Sequence, residues 1–273
     1  MTAPSWSEAF GAGNRDQGGL DRRRPFGRMD RADAFGGVDG SGLTVAVIDS
    51  GVEAGHPGIG GRLVQSVRVE LQGGEPRVAG DDGTDVVGHG TAVAGIIHAI
   101  APGADLVSIR VLGPDNRGKG EAFLAALDWA IGQGIPVANL SLSSKSEALF
   151  ADFHDLADRA YFANVLLVSA ANNVPGPSYP SLFAAVVSVA AHDVRDPGVW
   201  FYNPTPPVEF GAYGVDVNVA WRSGGRSVVT GNSFAAPHIT GIATLIRAKH
   251  RGISPFETKA ILAATADDPA PAG

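Results

Sequence analysis

Short runs of β-branched and apolar residues alternate along this chain with segments whose apolar positions recur at helical spacing, and no other feature limits the fold as much. Strands are predicted over residues 43–48, 104–112, 136–142, 164–170 and 182–190, with helices over 91–100, 119–131 and 147–162 between them. In the helix at 119–131, the apolar residues at 123, 124, 127, 130 and 131 form one face. Such a succession calls for an α/β fold: a single domain with a mostly parallel central sheet and helices on both faces, where right-handed crossovers put them. The longest helix is expected over 233–249, a last one over 255–264, and two short strands within 208–219. Residues 52–88 read as loop with one strand near 63–69. The first 28 residues, rich in Gly, Asp and Arg, read as an N-terminal arm. The domain itself is expected over 29–265, opening with a short helix near 29–35, and the C-terminal tail over 266–273.

Composition narrows the function. A net charge of -7 and no basic stripe leave nothing to neutralise phosphates, which argues against a nucleic-acid partner. No cysteine is present, so disulfides, thiolate catalysis and Cys-ligated zinc are excluded. No stretch approaches the roughly 20 apolar residues of a membrane span, so no membrane partner is expected. Residues 1–19 lack a basic start followed by an apolar run, and a cytoplasmic protein is therefore expected.

The chemistry centres on Gly231-Asn232-Ser233-Phe234-Ala235-Ala236-Pro237, small residues that carry a serine into the longest helix. Serine is a poor nucleophile until a base takes its proton, and an imidazole base must be oriented by a third group. Asp49 closes the first buried strand, at the edge where open α/β sheets place their ligands. His89 sits in Gly88-His89-Gly90-Thr91 at a helix start, where flanking glycines let the ring stand clear. All three residues thus fall at element boundaries. Singly, each has an ordinary structural explanation, as a turn aspartate or a packed serine; together they form a constellation.

With Val47-Ile48-Asp49-Ser50-Gly51, Gly88-His89-Gly90-Thr91, Val93-Ala94-Gly95 and the Ser233 segment in that order, the chain resembles the subtilisin-like serine proteases over about residues 29–265. The resemblance implies a serine endopeptidase working through an acyl-enzyme on a peptide or protein substrate. Ser233 would be the nucleophile, His89 the general base and then acid, and Asp49 the group that fixes the imidazole tautomer. Asn172, in Ser169-Ala170-Ala171-Asn172-Asn173, matches the family's oxyanion donor, with Asn173 as the alternative. The family also binds substrate as an added strand. Ser141-Leu142-Ser143 would form one edge, Asn116-Arg117-Gly118 the other, and Ala170-Ala171 part of the same surface.

Several segments depart from the family pattern. Ile96 to Gly103 passes directly from helix to turn, with no room for the family's usual calcium loop, so no cofactor is expected. Asp81, Asp82 and Asp85 could hold another calcium, but a solvated turn is the reading adopted. Ser143 and Ser144 stand where relatives commonly carry Gly-Gly, and the segment from Asn172 to Pro180 is short; both change the first specificity pocket. Arg117 and Lys119 suggest tolerance for acidic substrate positions. The arm over 1–28 is read as draped or disordered, with an inhibitory arm over the cleft as the alternative. A selective processing protease is expected; a subtilase scaffold of weak activity, serving as a binding subunit beside a protein partner, is the competing reading.

Overall fold

The computed structural model describes residues 29–268. The arm expected over 1–28 and the last five residues of the tail lie outside them. Strands β1 (Thr44–Asp49), β2 (Leu63–Gln72), β3 (Glu75–Gly80), β4 (Asp105–Arg110), β5 (Val137–Leu140), β6 (Leu166–Ala170), β7 (Val187–His192), β8 (Trp200–Tyr202) and β9 (Phe210–Tyr213) form one nine-stranded sheet. Its order is β3-β2-β4-β1-β5-β6-β7-β9-β8. Every pair from β2 to β9 is parallel, and β3 and β8 join antiparallel at the two edges. A separate hairpin is made by β10 (Val217–Trp221) and β11 (Gly225–Val229).

Side chains alternate across the sheet. Ala46 and Ile48 face a core shared with α3 (Gly120–Gly132) and α4 (Phe150–Phe162), whereas Val45 and Val47 face α2 (His89–Ile100). The long α5 (Asn232–Lys249) packs on β6, β7 and β9 on that second face, around Leu166, Val168 and Val189. Strands buried on both faces are why their sequences read as continuous apolar runs. The short α1 (Arg31–Phe35) closes against Trp200, with the Arg31 guanidinium 3.7 Å from the ring centroid and paired with Asp267 at 2.6 Å. Asp267 also donates its N–H to Trp200 O, so the chain past Thr265 stays tied to the body. The last helix, α6 (Pro255–Ala264), begins with a reciprocal Ser254–Glu257 capping box.

Several boundaries differ from the sequence reading. The strand expected from 182 starts at Val187, because residues 178–186 are held in turns by the Ser178–Ser181 hydroxyl contact and by Phe183 N–H to Pro180 O. The 52–88 region contains a hairpin, β2–β3, whose turn residues Gly73 and Gly74 both have positive φ, at 62° and 91°. β4 ends at Arg110 since the next two N–H groups, of Val111 and Leu112, both turn to Asp49 O.

In the register across the centre of the sheet, Ile48 lies beside Leu140 and Leu140 beside Ser169. One residue further along these three strands come Asp49, Ser141 and Ala170, at the carboxyl edge where the site lies.

Candidate active site

Asp49 is fully buried at the end of β1, and its carboxylate accepts the Ser50 N–H at 2.7 Å. His89 Nδ1 donates to Asp49 Oδ1 and Oδ2 at 2.8 and 2.9 Å. That bond places the ring proton on Nδ1 and leaves Nε2 as the basic nitrogen. The approach needs a glycine at 90, where a Cβ would stand 2.0 Å from Gly51 O and 3.1 Å from Asp49 Cβ. Burial opposes a charge on the imidazole, but the Asp49 charge and hydrogen bond, with the Asp85 charge behind them, prevail and hold His89 above its ordinary value.

Asp85 corrects the reading of the acidic turn. Its Oδ1 accepts from Ser50 Oγ and from the N–H groups of Val87 and Gly88, and its Oδ2 from the N–H and hydroxyl of Thr91. These bonds cap the start of α2, the helix that carries His89, where unpaired N–H groups favour an anion. Asp81 is also engaged, through Arg110 at 2.6 Å, and of the three carboxylates only Asp82 belongs to an exposed residue. An aspartate four residues before a helix-opening histidine was the available signal. Among the described residues no group of three or more His, Asp or Glu could hold a metal. α2 reaches β4 through Ala101-Pro102-Gly103-Ala104, so the residues present do not fit the family's calcium loop.

Ser233 is the second residue of α5. Four residues on stands Pro237, which has no N–H to give, so the Ser233 carbonyl lacks its helical partner. Ser141 Oγ donates to it instead, at 2.8 Å. Asn139 Nδ2 donates in turn to Ser141 Oγ at 2.8 Å, and Thr240 Oγ1 to Asn139 Oδ1 at 2.7 Å. This buried circuit leaves α5, crosses β5 and returns to α5, fixing the serine's backbone with three side chains. Of these only Ser141 was singled out from sequence, and as a substrate edge. Phe234 turns its ring to His89, centroids 5.0 Å apart.

His89, Ser233 and Asn172 line one cleft of about 440 Å³, together with Asn116, Arg117, Gly118, Ser141, Leu142, Ser143, Ala170 and Ala171. Every residue expected at the site from sequence therefore meets there, except Asp49, which stands behind His89. Asn172 Oδ1 accepts the Val174 N–H at 3.3 Å, which puts the amide's donor end on the opposite side. Asn173, the alternative donor, lines the same cleft and is fixed in the same way: its Oδ1 accepts the Asn232 N–H at 2.9 Å, and a Cβ placed on Gly231 would stand 3.6 Å from its Nδ2 and 3.3 Å from Ser233 Oγ. Neither substrate edge is built into the sheet: β5 stops at Leu140, and residues 117–119 lie between a turn and α3. Ser144 makes a two-bond antiparallel bridge with Tyr179, closing the short segment against the wall beside Ser143.

The chain is 34% identical to Subtilisin BL of Lederbergia lenta over 226 residues, covering 78% of this chain and 79% of that one. It is 32% identical to the Thermostable alkaline protease of Halalkalibacterium halodurans over 226 residues, and spans only 59% of that protein's length. Among solved structures it resembles the S41 Psychrophilic Protease, with a TM-score of 0.71 and 29% identity over 82% of this chain and 83% of that one. The subtilase family model matches residues 40–273. With the Asp49–His89 pair beside a cleft that Ser233 and Asn172 also line, and with this match over most of its length, the chain belongs to the subtilase family of serine endopeptidases.

Proposed function

We propose that Ser233, His89, Asp49 and Asn172 perform the family's reaction, hydrolysis of a peptide bond through an acyl-enzyme. The observation that carries this is the doubly bonded Asp49–His89 pair at the edge of a cleft that Ser233 also lines. His89 Nε2 takes the Ser233 hydroxyl proton as the oxygen attacks the carbonyl carbon, then returns it to the departing amine. Asn172 Nδ2, with Asn173 Nδ2 as the alternative, and the Ser233 N–H, at the start of α5, receive the oxyanion. Water then attacks the acyl-enzyme with His89 again as base, releasing the acid product.

The peptide lies as an added strand between residues 116–118 and 141–143. Arg117 and Lys119 line the cleft, and no Asp or Glu is among its described lining residues, which supports tolerance for acidic substrate positions. The steps proposed use no metal, and Asp85 and Asp81 of the acidic turn are committed to helix α2 and to Arg110. Selective processing is the reading adopted over broad degradation, and the Ser144–Tyr179 bridge, which ties the short segment after Asn173 to the end of the 141–143 edge, is in keeping with it. The cytoplasmic location expected from sequence belongs to this proposal and is tested by fractionating source cells; activity in the medium alone would overturn it.

The function is tested by profiling cleavage of a peptide library with the native chain and with Ser233→Ala. Cleavage at a narrow set of sites, unaffected by chelator and lost in the variant, is expected. Absence of cleavage by the folded native chain would favour a non-catalytic scaffold working beside a partner.

A further inference from the structure

A second cavity, of about 470 Å³, is lined by α2, α5 and the β10–β11 hairpin, and shares no lining residue with the cleft. Its walls are mostly apolar: Ile96 and Ile100 come from α2, and Val217, Val219 and Ala220 from β10. Gly58, Gly95 and Ala220 meet in one wall with nothing larger than a methyl group, a Cβ on either glycine standing 3.2 or 3.0 Å from Ala220 Cβ. Most polar groups of the lining are already committed. Tyr213 Oη donates to Asp216 O at 3.0 Å, and Arg226 is turned onto Asn218, through Nε to Oδ1 at 3.0 Å and through Nη2 to the main-chain O at 2.8 Å. His238 is the exception. It is 3% exposed, and its Nδ1 donates to Phe234 O at 2.9 Å, which leaves the lone pair on Nε2 with no donor among the described residues. Burial lowers the group to about 4, so Nε2 stays an acceptor at neutral pH. His98, the other imidazole in the lining, is also held below its ordinary value, by burial and by nearby Arg62. No Asp or Glu is among the described lining residues, so a cation has no carboxylate here to hold it.

We propose that this cavity is a binding site for a small, mainly apolar molecule carrying one ring N–H or hydroxyl, which donates to His238 Nε2. Apolar walls around a single placed acceptor are the makings of a ligand pocket: the walls supply contact and the acceptor selects. A molecule of the same shape without the donor would leave the imidazole nitrogen stripped of water and unpaired, and should be rejected for that reason. The site does not depend on the catalytic reading, since none of its lining residues belongs to the cleft.

The test is isothermal titration calorimetry on the full chain carrying Ser233→Ala, which removes self-digestion and lets the result stand whether or not the native chain is an active protease. The probes are indole and benzofuran, which share a shape and differ in that an oxygen replaces the ring N–H. Indole should bind saturably and about 10-fold more tightly than benzofuran. Adding His238→Leu should bring the two probes to within about 2-fold of each other. Adding Ala99→Trp, at an exposed position of α2 that lines the cavity, should weaken both by about 10-fold or more. No saturable binding of indole, equal affinity for the two probes, or an unchanged preference after His238→Leu would overturn the proposal. Should His238→Leu fail to fold, Ala99→Trp decides: indole affinity unchanged in that variant places the probe elsewhere and sinks the assignment.

Discussion

His89 and His238 lie on neighbouring helices on the same face of the sheet, are each over nine-tenths buried, and both touch Phe234. His89 meets its ring; His238 Nδ1 donates to its carbonyl at 2.9 Å. Burial disfavours the imidazolium in both. At His89 two carboxylates overcome it and hold the group above its ordinary value. At His238 burial wins: the carbonyl of Phe234 gives partial compensation, nearby His192 adds to the depression, and the group is lowered to about 4. The comparison teaches that a buried histidine becomes a base near neutral pH through the carboxylates the fold delivers to it, and that without them it stays neutral.

The largest effect expected from breaking the comparison is in turnover. Ser233→Ala or His89→Ala should lower kcat by about 10⁶-fold, the scale found for triad removal in subtilisin, whereas His238→Gln should stay within about 10-fold of the native chain. Steady-state hydrolysis of one peptide by the three variants checks this.

Stability against pH separates the two histidines next. Below pH 6.5 the unfolded chain binds a proton on His238 that the folded chain refuses until about pH 4, so stability is lost as pH falls through that window. The loss is about 3 kcal/mol, and His238→Gln should remove it from denaturation curves taken at successive pH values. His89 has the opposite sign: its contribution is complete below pH 6.5 and fades as pH rises through its raised value.

A smaller effect lies in the pH profile. The acid limb of kcat/KM, which reports the free base, should fall above 6.5, and Asp85→Asn should draw it back toward 6.5 in rate measurements at low salt. The smallest effect concerns the circuit behind the serine. Thr240→Val removes one donor to Asn139 and should lower kcat a few-fold, about 1 kcal/mol, with little change in KM.

The sheet and its helices were legible because strands such as 43–48 and 164–170 are buried on both faces and so carry uninterrupted apolar runs. Asp49, His89 and Ser233 were legible because each stands where an element begins or ends. β3 was missed although Gly73-Gly74 between two extended segments is a hairpin signal; its residues are mostly exposed and weakly apolar. Asp85 was read as solvated since its partners, Ser50 and Thr91, come near only after β1 and α2 have packed. Asn139 and Thr240 had no signal of their own. A buried polar residue in a strand or helix declares its role only through partners far along the chain, as Asn139 does with Thr240.

The central claim is that the fold turns Ser233 into a nucleophile through His89. The most direct measurement is covalent labelling by a fluorophosphonate, located by peptide mass spectrometry. Labelling on Ser233 of the native chain, abolished in His89→Ala with its circular dichroism unchanged and retained in His238→Gln, is predicted. Labelling of Ser233 at an equal rate without His89, or of another serine, would contradict the account.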